Sequence, residues 1–332
     1  MSALTERPTC PACGSGRRRS ILRCRFLDRP VLDFVEVKFA GRPFADRLAH
    51  HHYELLECEQ CLLIYQLAVP QGSFLTELYD DWLNIDDGRE SGGRTIEMPR
   101  AVEMAREVAS IVRTLGVPSK EVRLLDFGMG WGHWCATAQA LGCQSAGWDL
   151  SPQRRAHARS LGVRVPESED ALQAMQFDAI NSEQVLEHVI DPAATVRRLL
   201  PTLRPGGIVR IGVPDGRHVK AGLDSLNWAD VRRSRAFMRH LMPITPLIHI
   251  NTFTATSLGR FGRLLGMEPL QPTLRAEWAI LPGATLRSLA IALIRPLHRR
   301  LVPTTWMHFR WHGPAARPGA LHPVHPVSTS SV

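Results

Sequence analysis

The sequence DFGMGWG at residues 126–132 decides the fold, because it places three glycines in one short turn. The apolar run from Val122 to Leu125 ahead of it predicts a short buried strand, and the segment from His133 to Leu141 predicts a helix. Glycines crowd a strand-to-helix turn where the backbone must pass close to a ligand. The turn ends at a helix N-terminus, whose free N–H groups favour anionic, oxygen-rich partners. The stretch therefore predicts a nucleotide-like cofactor.

The spacing of the glycines distinguishes between nucleotide cofactors. The nicotinamide fingerprint is G-x-G-x-x-G with no acid ahead of it. This chain has G-x-G-x-G, with Asp126 two residues before Gly128 and His133 at the position of the last fingerprint glycine. The turn by itself is also compatible with an ordinary glycine loop. The motifs that follow it in the sequence are therefore needed to distinguish a cofactor-binding turn from such a loop.

Three further motifs follow the turn in order. The segment 144–148 predicts a second strand that ends in Asp149, where an acid can accept the protons of both ribose hydroxyls. The segment 177–182 predicts a third strand of the same kind and leads into EQVLEHVIDP at 183–192. The sequence LRPGG at 203–207 then opens another strand.

These four ordered motifs resemble the class I S-adenosylmethionine (SAM) methyltransferases over about residues 122–270. The resemblance implies an α/β fold with a Rossmann-like, doubly wound sheet of seven strands. It also implies SAM as the cofactor. The residues expected to contact SAM on this resemblance are Asp126, Gly128, Gly130, Gly132, Asp149, Ser182 and Glu183.

Composition is consistent with a globular protein that works in the cytoplasm. The chain has 332 residues, 44% of them hydrophobic, which suits one large domain with an accessory module. No apolar run approaches the roughly 20 residues of a membrane span, and the first residues lack a signal-peptide core. The net charge of +8 is spread along the chain and is mostly arginine, which disfavours a nucleic-acid acceptor.

Two C-x-x-C pairs precede the glycine turn. Cys10 and Cys13 form the first pair, and Cys58 and Cys61 form the second. Four thiolates suit a tetrahedral, structural zinc ion, although the 44 residues between the pairs exceed the common ribbon spacing. A redox or iron–sulfur role and free cytosolic thiols are the alternatives.

A cysteine module ahead of the glycine turn resembles the arrangement in many bacterial methyltransferases, including the deoxysugar C-methyltransferases. The resemblance implies a zinc-ribbon-like module at 1–75, a lid and linker helix at 76–118 and the methyltransferase domain at 119–283. A lid can exclude water from the methyl transfer. Tyr79 in the lid is therefore a candidate catalytic residue, with a packing aromatic as the alternative.

Two histidines are candidate bases, because the pKa of histidine lies near neutrality. His188 follows the strand at 177–182, at the sheet edge where ligands bind, and a structural hydrogen-bonding role is the alternative. His249 lies in a stretch that resembles the family's H-x-N-x-F-(S/T) segment. The ketosugar C-methyltransferases have Tyr-x-Glu-His there, whereas this chain has Pro246 and Ile248 in place of the Tyr and Glu. The missing carboxylate favours O- or N-methylation over C-methylation, with His249 as the first candidate base.

The rest of the chain is assigned by composition. Residues 215–250 include an insertion expected to cover the acceptor. Residues 284–312 predict an apolar helix docked on the core, and the arginines near its end leave membrane contact as the second interpretation. Residues 313–332 predict a disordered tail rich in Pro, His and Ser.

The sequence as a whole predicts a SAM-dependent methyltransferase that acts on a small-molecule acceptor, such as a sugar or a specialised metabolite. The glycine spacing disfavours a nicotinamide-dependent oxidoreductase. Two further alternatives are a zinc-ribbon binding protein with an inactive methyltransferase domain and a methyltransferase for a lipid-linked or nucleic-acid acceptor.

Overall fold

The computed structural model describes residues 3–82, 95–223, 228, 237–280 and 286–314. Parts of several predicted segments therefore fall outside the described residues. These parts are residues 83–94 of the lid, residues 224–227 and 229–236 of the insertion, residues 281–285 where the methyltransferase domain meets the C-terminal helix region, and the tail from residue 315 onward.

The strands of the described residues form three sheets. They are β1 (Leu4–Glu6), β2 (Arg18–Arg25), β3 (His52–Cys58), β4 (Ile64–Gln66), β5 (Ala68–Pro70), β6 (Arg123–Phe127), β7 (Gln144–Trp148), β8 (Phe177–Glu183), β9 (Leu203–Gly212), β10 (Asn251–Thr252), β11 (Met267–Leu270) and β12 (Trp306–Trp311). The α-helices are α1 (Val31–Lys38), α2 (Phe44–Leu48), α3 (Gly72–Glu77), α4 (Met98–Leu115), α5 (His133–Ala140), α6 (Pro152–Ser160), α7 (Glu169–Gln173), α8 (Pro192–Leu199), α9 (Val219–Gly222), α10 (Ala255–Leu264), α11 (Leu274–Glu277) and α12 (Leu286–Leu301).

The largest sheet is the mixed sheet of a Rossmann-like fold. Its strand order is β11-β12-β9-β8-β6-β7, in which β7, β6, β8 and β9 are parallel and β12 is antiparallel to both of its neighbours. The four parallel strands are mostly buried, because helices cover both faces of such a sheet. Their carboxyl ends lie along one edge, which is where ligands bind in open α/β sheets.

The sheet differs from the sequence prediction at both edges. Six strands are present in the described residues instead of seven, and next to β7 an isolated parallel bridge between Ala146 and Arg164 occupies the position of the seventh. The predicted C-terminal helix region at 284–312 also contains a strand, β12, which inserts between β9 and β11. Phe309 is fully buried on this strand. Its pairing partners lie far away in sequence, so short-range patterns did not reveal it.

Helix starts follow the capping residues that the sequence provides. The Ser151 hydroxyl accepts a hydrogen bond from the Arg154 N–H at the start of α6, with Pro152 in the first turn. Thr254 caps α10 and forms a reciprocal capping box with Ser257. The two caps fix the loops that leave β7 and β10.

A smaller sheet joins the N-terminal region to the large sheet's domain. Its order is β10-β4-β3-β2, so one of its strands comes from beyond the predicted module. The buried Arg7 guanidinium donates hydrogen bonds to the carbonyls of Gln66 and Ile250 and to the Asn251 side chain. The N-terminal region is thus tied by sheet pairing and by a buried charge to the segment that carries His249.

Candidate active site

The glycine turn, residues 126–132, connects β6 to α5 and owes its shape to positive φ angles. Gly128, Gly130 and Gly132 have φ of 78°, 54° and 85°, a region that side chains rarely adopt. A Cβ on Gly128 would meet Val185 Cγ2 at 2.2 Å, and one on Gly132 would meet Ala158 Cβ at 2.7 Å. Gly130 has nothing within 4 Å of such a position. Two of the glycines therefore permit packing, and the middle one leaves open space.

A cavity of about 250 Å³ opens beside the turn. Four of the predicted cofactor residues line it, and these are Asp126, Gly128, Gly130 and Glu183. The apolar side chains of its wall belong to Met104, Met129, Trp131 and Trp134. Gly132, Asp149 and Ser182 lie outside this lining.

Asp149 follows β7 and forms a hydrogen bond with the glycine turn. One carboxylate oxygen accepts the Gly130 N–H at 3.0 Å, and the other accepts the Ser151 N–H at 2.9 Å. Arg154 Nη1 lies 3.9 Å from the same carboxylate. The side chain is buried and contacts the turn at Gly130, the glycine that lines the cavity and faces open space.

Asp126 lies at the end of β6, beneath the turn. Its carboxylate accepts a hydrogen bond from Asn181 Nδ2 at 2.7 Å, and the Asn181 oxygen in turn accepts one from Arg210 at 2.6 Å. Burial raises the pKa of Asp126 to about 7. Near neutral pH this group can therefore exchange a proton when a charged ligand enters.

Two arginines that the sequence analysis did not select position Glu183. Arg100 on α4 donates to Glu183 Oε1 at 2.7 Å, and Arg210 on β9 donates to Oε2 at 3.1 Å. Arg210 is 3% exposed and also pairs with Glu107 at 2.6 Å. An arginine inside the apolar run of β9 was the available signal, because a buried charge needs a partner. The network joins α4 to the strand ends that line the cavity.

Two candidate bases lie side by side. The ring centroids of His188 and His249 are 4.8 Å apart. His188 Nδ1 lies 3.0 Å from the carbonyl oxygen of Ile248, and His249 Nδ1 lies 2.5 Å from that of Met242. A carbonyl can only accept, so Nδ1 carries the proton in each ring and Nε2 keeps its lone pair.

Glu187 completes this group, which we call the histidine cluster (Glu187, His188 and His249). It is 1% exposed, and its Oε1 lies 3.9 Å from His188 Nε2. Among the described residues, neither carboxylate oxygen has a hydrogen-bond partner. One oxygen and one nitrogen of each histidine lie within 4.8 Å of one another, so the cluster could also hold a divalent cation. The sequence placed Glu187 in a family motif but gave it no role, because its burial could not be deduced.

Burial controls the charge of the cluster. It lowers the pKa of His188 to about 4 and that of His249 to about 3, and it raises the pKa of Glu187 to about 8. Burial and the nearby Glu187 raise the pKa of Tyr79 to about 12. At neutral pH the cluster is therefore uncharged, with two neutral imidazoles and a protonated carboxyl. Tyr79 lies within the electrostatic reach of that carboxyl.

The cluster and the cavity share one edge of the sheet. Glu183 and Gln184 line the cavity, and Glu187 follows them in the same segment. In addition to burial, the positive charge of Arg154 lowers the pKa of His188, and Arg154 is the neighbour of Asp149. The groups expected to hold the cofactor and those expected to act on the acceptor therefore influence each other electrostatically.

The four cysteines of the N-terminal region converge on one point. The Sγ atoms of Cys10 and Cys61 are 3.5 Å apart, as are those of Cys13 and Cys58, and all four lie within 4.8 Å. Leu62, directly after the second pair, has φ of 65°, a strained angle for a side-chain residue. The structure thus brings the four predicted thiols together, and the turn that carries Cys58 and Cys61 contains the strained residue Leu62.

The fold and the glycine turn define the class of protein, a class I SAM-dependent methyltransferase. Residues 100–271, just over half of the chain, match the family described as a methyltransferase domain, and the chain belongs to that family.

Two curated relatives of this chain are also named as methyltransferases. The ubiquinone biosynthesis O-methyltransferase of Xanthomonas axonopodis pv. citri is 40% identical over 95 residues, which are 26% of this chain and 40% of that protein. The protein of the same name from Aromatoleum aromaticum is 30% identical over 168 residues, 48% of this chain and 68% of that protein. This chain thus spans less than half of the first relative and about two thirds of the second.

Among solved structures, the 1,6-didemethyltoxoflavin-N1-methyltransferase of Burkholderia thailandensis is 18% identical. The match covers 78% of this chain and 95% of that one, with a TM-score of 0.43. That structure was determined with 1,6-didemethyltoxoflavin and S-adenosylhomocysteine bound.

Proposed function

We propose that this methyltransferase transfers the methyl group of SAM to an oxygen or nitrogen of a small-molecule acceptor, with His249 as the base. The observation that carries the proposal is the buried histidine cluster at the sheet edge that also holds the cofactor cavity. The names of the Xanthomonas and Aromatoleum relatives, both O-methyltransferases, support oxygen as the methylated atom.

The cofactor would occupy the cavity beside the glycine turn. When bound, SAM supplies a methyl carbon activated by a sulfonium. The Asp149 carboxylate, which accepts the Gly130 N–H, has further lone pairs for its hydroxyl groups, and the wall of tryptophan and methionine side chains suits its adenine ring. Glu183 is held by two arginines and offers a rigid carboxylate at the same opening.

His249 is arranged to take a proton from the acceptor. The Met242 carbonyl fixes the Nδ1–H, so the Nε2 lone pair is free to accept. In this role Nε2 would take the proton of the acceptor hydroxyl, which would leave the acceptor oxygen ready to receive the methyl group that SAM supplies when bound. Burial keeps the ring neutral, and hence ready to act as a base, at every pH above its lowered pKa.

Glu187 would stabilise the imidazolium that this transfer creates. Its carboxyl comes from the segment after β8. In the ketosugar C-methyltransferases the carboxylate instead lies directly before the histidine, at the position that Ile248 occupies in this chain. Burial keeps Glu187 protonated at neutral pH, so this role requires that the carboxyl give up its proton as the imidazolium forms. The ionised carboxylate would then raise the basicity of the imidazole, which burial alone makes weak. His188 lies between them and acts in the proposal as a positioning residue.

Replacing the base tests the proposal directly. The wild type and His249→Gln would be incubated with methyl-labelled SAM and a low-molecular-weight extract of bacterial cells. We expect ether- or amine-linked label in small molecules, and a drop of about 10²- to 10⁴-fold in the variant with SAM affinity unchanged. His298→Gln, an exposed histidine of α12, is the matched control. Label in RNA or protein, or an undiminished rate in the variant, would contradict the proposal.

The base role and a cation role of the cluster give opposite results with a chelator. If His249 acts as a base, turnover survives brief incubation with EDTA, because no metal takes part in the proton transfer. Loss of turnover that added Mg²⁺ or Mn²⁺ restores would instead assign the cluster to a metal.

We also propose that Cys10, Cys13, Cys58 and Cys61 bind a structural zinc ion. Tetrahedral zinc with sulfur ligands at about 2.3 Å requires sulfur–sulfur distances of about 3.8 Å, and the four Sγ atoms lie within 4.8 Å, with two pairs at 3.5 Å. A set of four protein ligands leaves no open position, so the ion would hold the fold together and take no part in chemistry. Metal analysis of anaerobically purified protein should give about one zinc per chain, and Cys58→Ser should lower it to near zero.

A further inference from the structure

Helix α12 lies against α4 along one side. Arg106 on α4 donates to the Ala292 carbonyl at 3.2 Å, and Glu103 on α4 pairs with Arg295 at 2.7 Å. Ala292 is 1% exposed and Pro296 is buried. The side of α12 that carries these two residues is therefore its docking face, as the sequence predicted for a helix packed on the core.

The opposite side of α12 presents an apolar stripe to solvent. Ile294, Leu297 and Leu301 are 61%, 44% and 83% exposed, and Ile291 beside them is 53% exposed. With Ala290, also exposed, the stripe repeats at steps of four, three and four residues, which places its members on one helix face. Among the residues that the structure describes, docking on α4 leaves these side chains exposed. Contiguous apolar surface of this kind marks an interaction site.

The charge of the helix indicates which partner suits the stripe. The sequence from 286 to 301 contains four arginines and one histidine and no acidic residue. The Arg295 side chain is 43% exposed but pairs with Glu103. Arg300, by contrast, donates to the neutral Pro272 carbonyl at 2.7 Å and keeps its positive charge. A second copy of the helix would bring like charges together, whereas an anionic surface would pair with them.

We propose that the apolar stripe of α12 rests on the surface of an anionic phospholipid bilayer. Sixteen residues make a helix of about 24 Å, and no helix in the described part of the chain is long and apolar enough to cross a bilayer. The helix would lie in the plane of the interface, with Ile294, Leu297 and Leu301 among the acyl chains and the Arg300 guanidinium at the lipid phosphates.

Vesicle flotation of the full-length protein tests this surface. Vesicles of phosphatidylcholine with about 30% phosphatidylglycerol are compared with vesicles of phosphatidylcholine alone. The double variant Ile294→Glu, Leu301→Glu is compared with Val37→Glu, Leu264→Glu, which alters two exposed apolar residues of similar size elsewhere on the surface. We expect the wild type and the control to float with anionic vesicles, and the stripe variant to bind at least about tenfold less.

Several outcomes would overturn the proposal. These are failure of the wild type to float with anionic vesicles, equal flotation with neutral vesicles, and equal loss in both double variants. A wild-type dimer in light scattering that the stripe variant alone makes monomeric would assign the face to a second copy. SAM binding by calorimetry is measured on every variant. Intact binding shows that the fold survives, and it separates failure of this surface from failure of the proposed methyl transfer.

Discussion

The glycine turn and the histidine cluster lie at the same edge of the sheet but are built in opposite ways. The turn comes from one continuous segment, and its geometry follows from glycines at positive φ and one acid, Asp149, at the next strand end. The cluster joins two segments about 60 residues apart, from residues 187–188 to residue 249, and depends on burial. Backbone requirements are visible in a sequence, whereas the environment of a side chain is a property of the folded chain.

The difference has a chemical counterpart. A cofactor shared by a large family is held by backbone groups and fixed carboxylates, which any sequence with the right turn can provide. Proton transfer needs pKa values that burial and neighbours set, and these are specific to one chain. The cofactor side of this enzyme therefore follows its family, and the acceptor side requires the structure.

The largest expected effect concerns the turn. Gly128→Ala introduces a Cβ that would overlap Val185 at 2.2 Å, at a φ of 78° that alanine disfavours. We expect a loss of roughly 2–5 kcal/mol in the free energy of unfolding, together with loss of SAM binding. Gly162→Ala is the matched control, because it has the same φ of 78° and nothing within 4 Å. Equal denaturation midpoints for the two variants would show that close packing does not shape the turn.

An intermediate effect is expected at Asp149. Its carboxylate orders Gly130 and Ser151 and would accept the ribose hydroxyls. Loss of charge-assisted hydrogen bonds predicts that Asp149→Ala weakens SAM binding about 10- to 100-fold by calorimetry. Asp191→Ala, which removes the carboxylate that caps α8, is the control for a lost acid and should leave the affinity near that of the wild type. Unchanged affinity in Asp149→Ala would remove the ribose role.

The last expected effect is the pH dependence of stability that the cluster confers. Burial raises the pKa of Glu187 from 4.5 to about 8, so the folded protein binds this proton more tightly than the unfolded chain. Its contribution to stability is thus fully present below pH 4.5 and is lost as the pH rises toward 8. Glu187→Gln should gain up to about 4 kcal/mol relative to the wild type between pH 5 and pH 8.5, because each pH unit between the two pKa values is worth about 1.4 kcal/mol.

Chemical denaturation at the two pH values measures this difference. The two histidines are present in both proteins, so their titration largely cancels. Glu167→Gln alters a carboxylate at the surface, 85% exposed, and should show no such gain. If the difference in free energy of unfolding between the wild type and Glu187→Gln stays constant with pH, Glu187 is not held protonated in the fold.

Much of the fold could be predicted because its signals are local. Strand β7 has the predicted ends, and the ends of β6 and β8 lie within two residues of the predicted ones. The strand β12 was missed because its partners, β9 and β11, lie far from it in sequence. A short alternating segment behind an apolar helix gives no sign of a position inside the central sheet.

In the candidate site, too, residues with local sequence signals were predicted, and residues that depend on distant segments were missed. Asp126, Gly128, Gly130 and Glu183 follow strand ends and line the cavity as a sequence motif would place them. Glu187 and Arg210 were overlooked, because what distinguishes them is burial among groups from other segments. Ser182 was selected by its place in the motif, but its hydroxyl is buried and lies outside the cavity lining.

A crystal structure with S-adenosylhomocysteine bound would test most directly whether the turn and the cluster form one active site. We expect the ribose of this ligand at Asp149 and its adenine ring against the tryptophan and methionine side chains of the cavity wall. Its sulfur should face the histidine cluster, with space for an acceptor between the sulfur and the cluster. A sulfur atom that faces away from His249, with the cluster closed off from the cofactor by protein, would contradict the account.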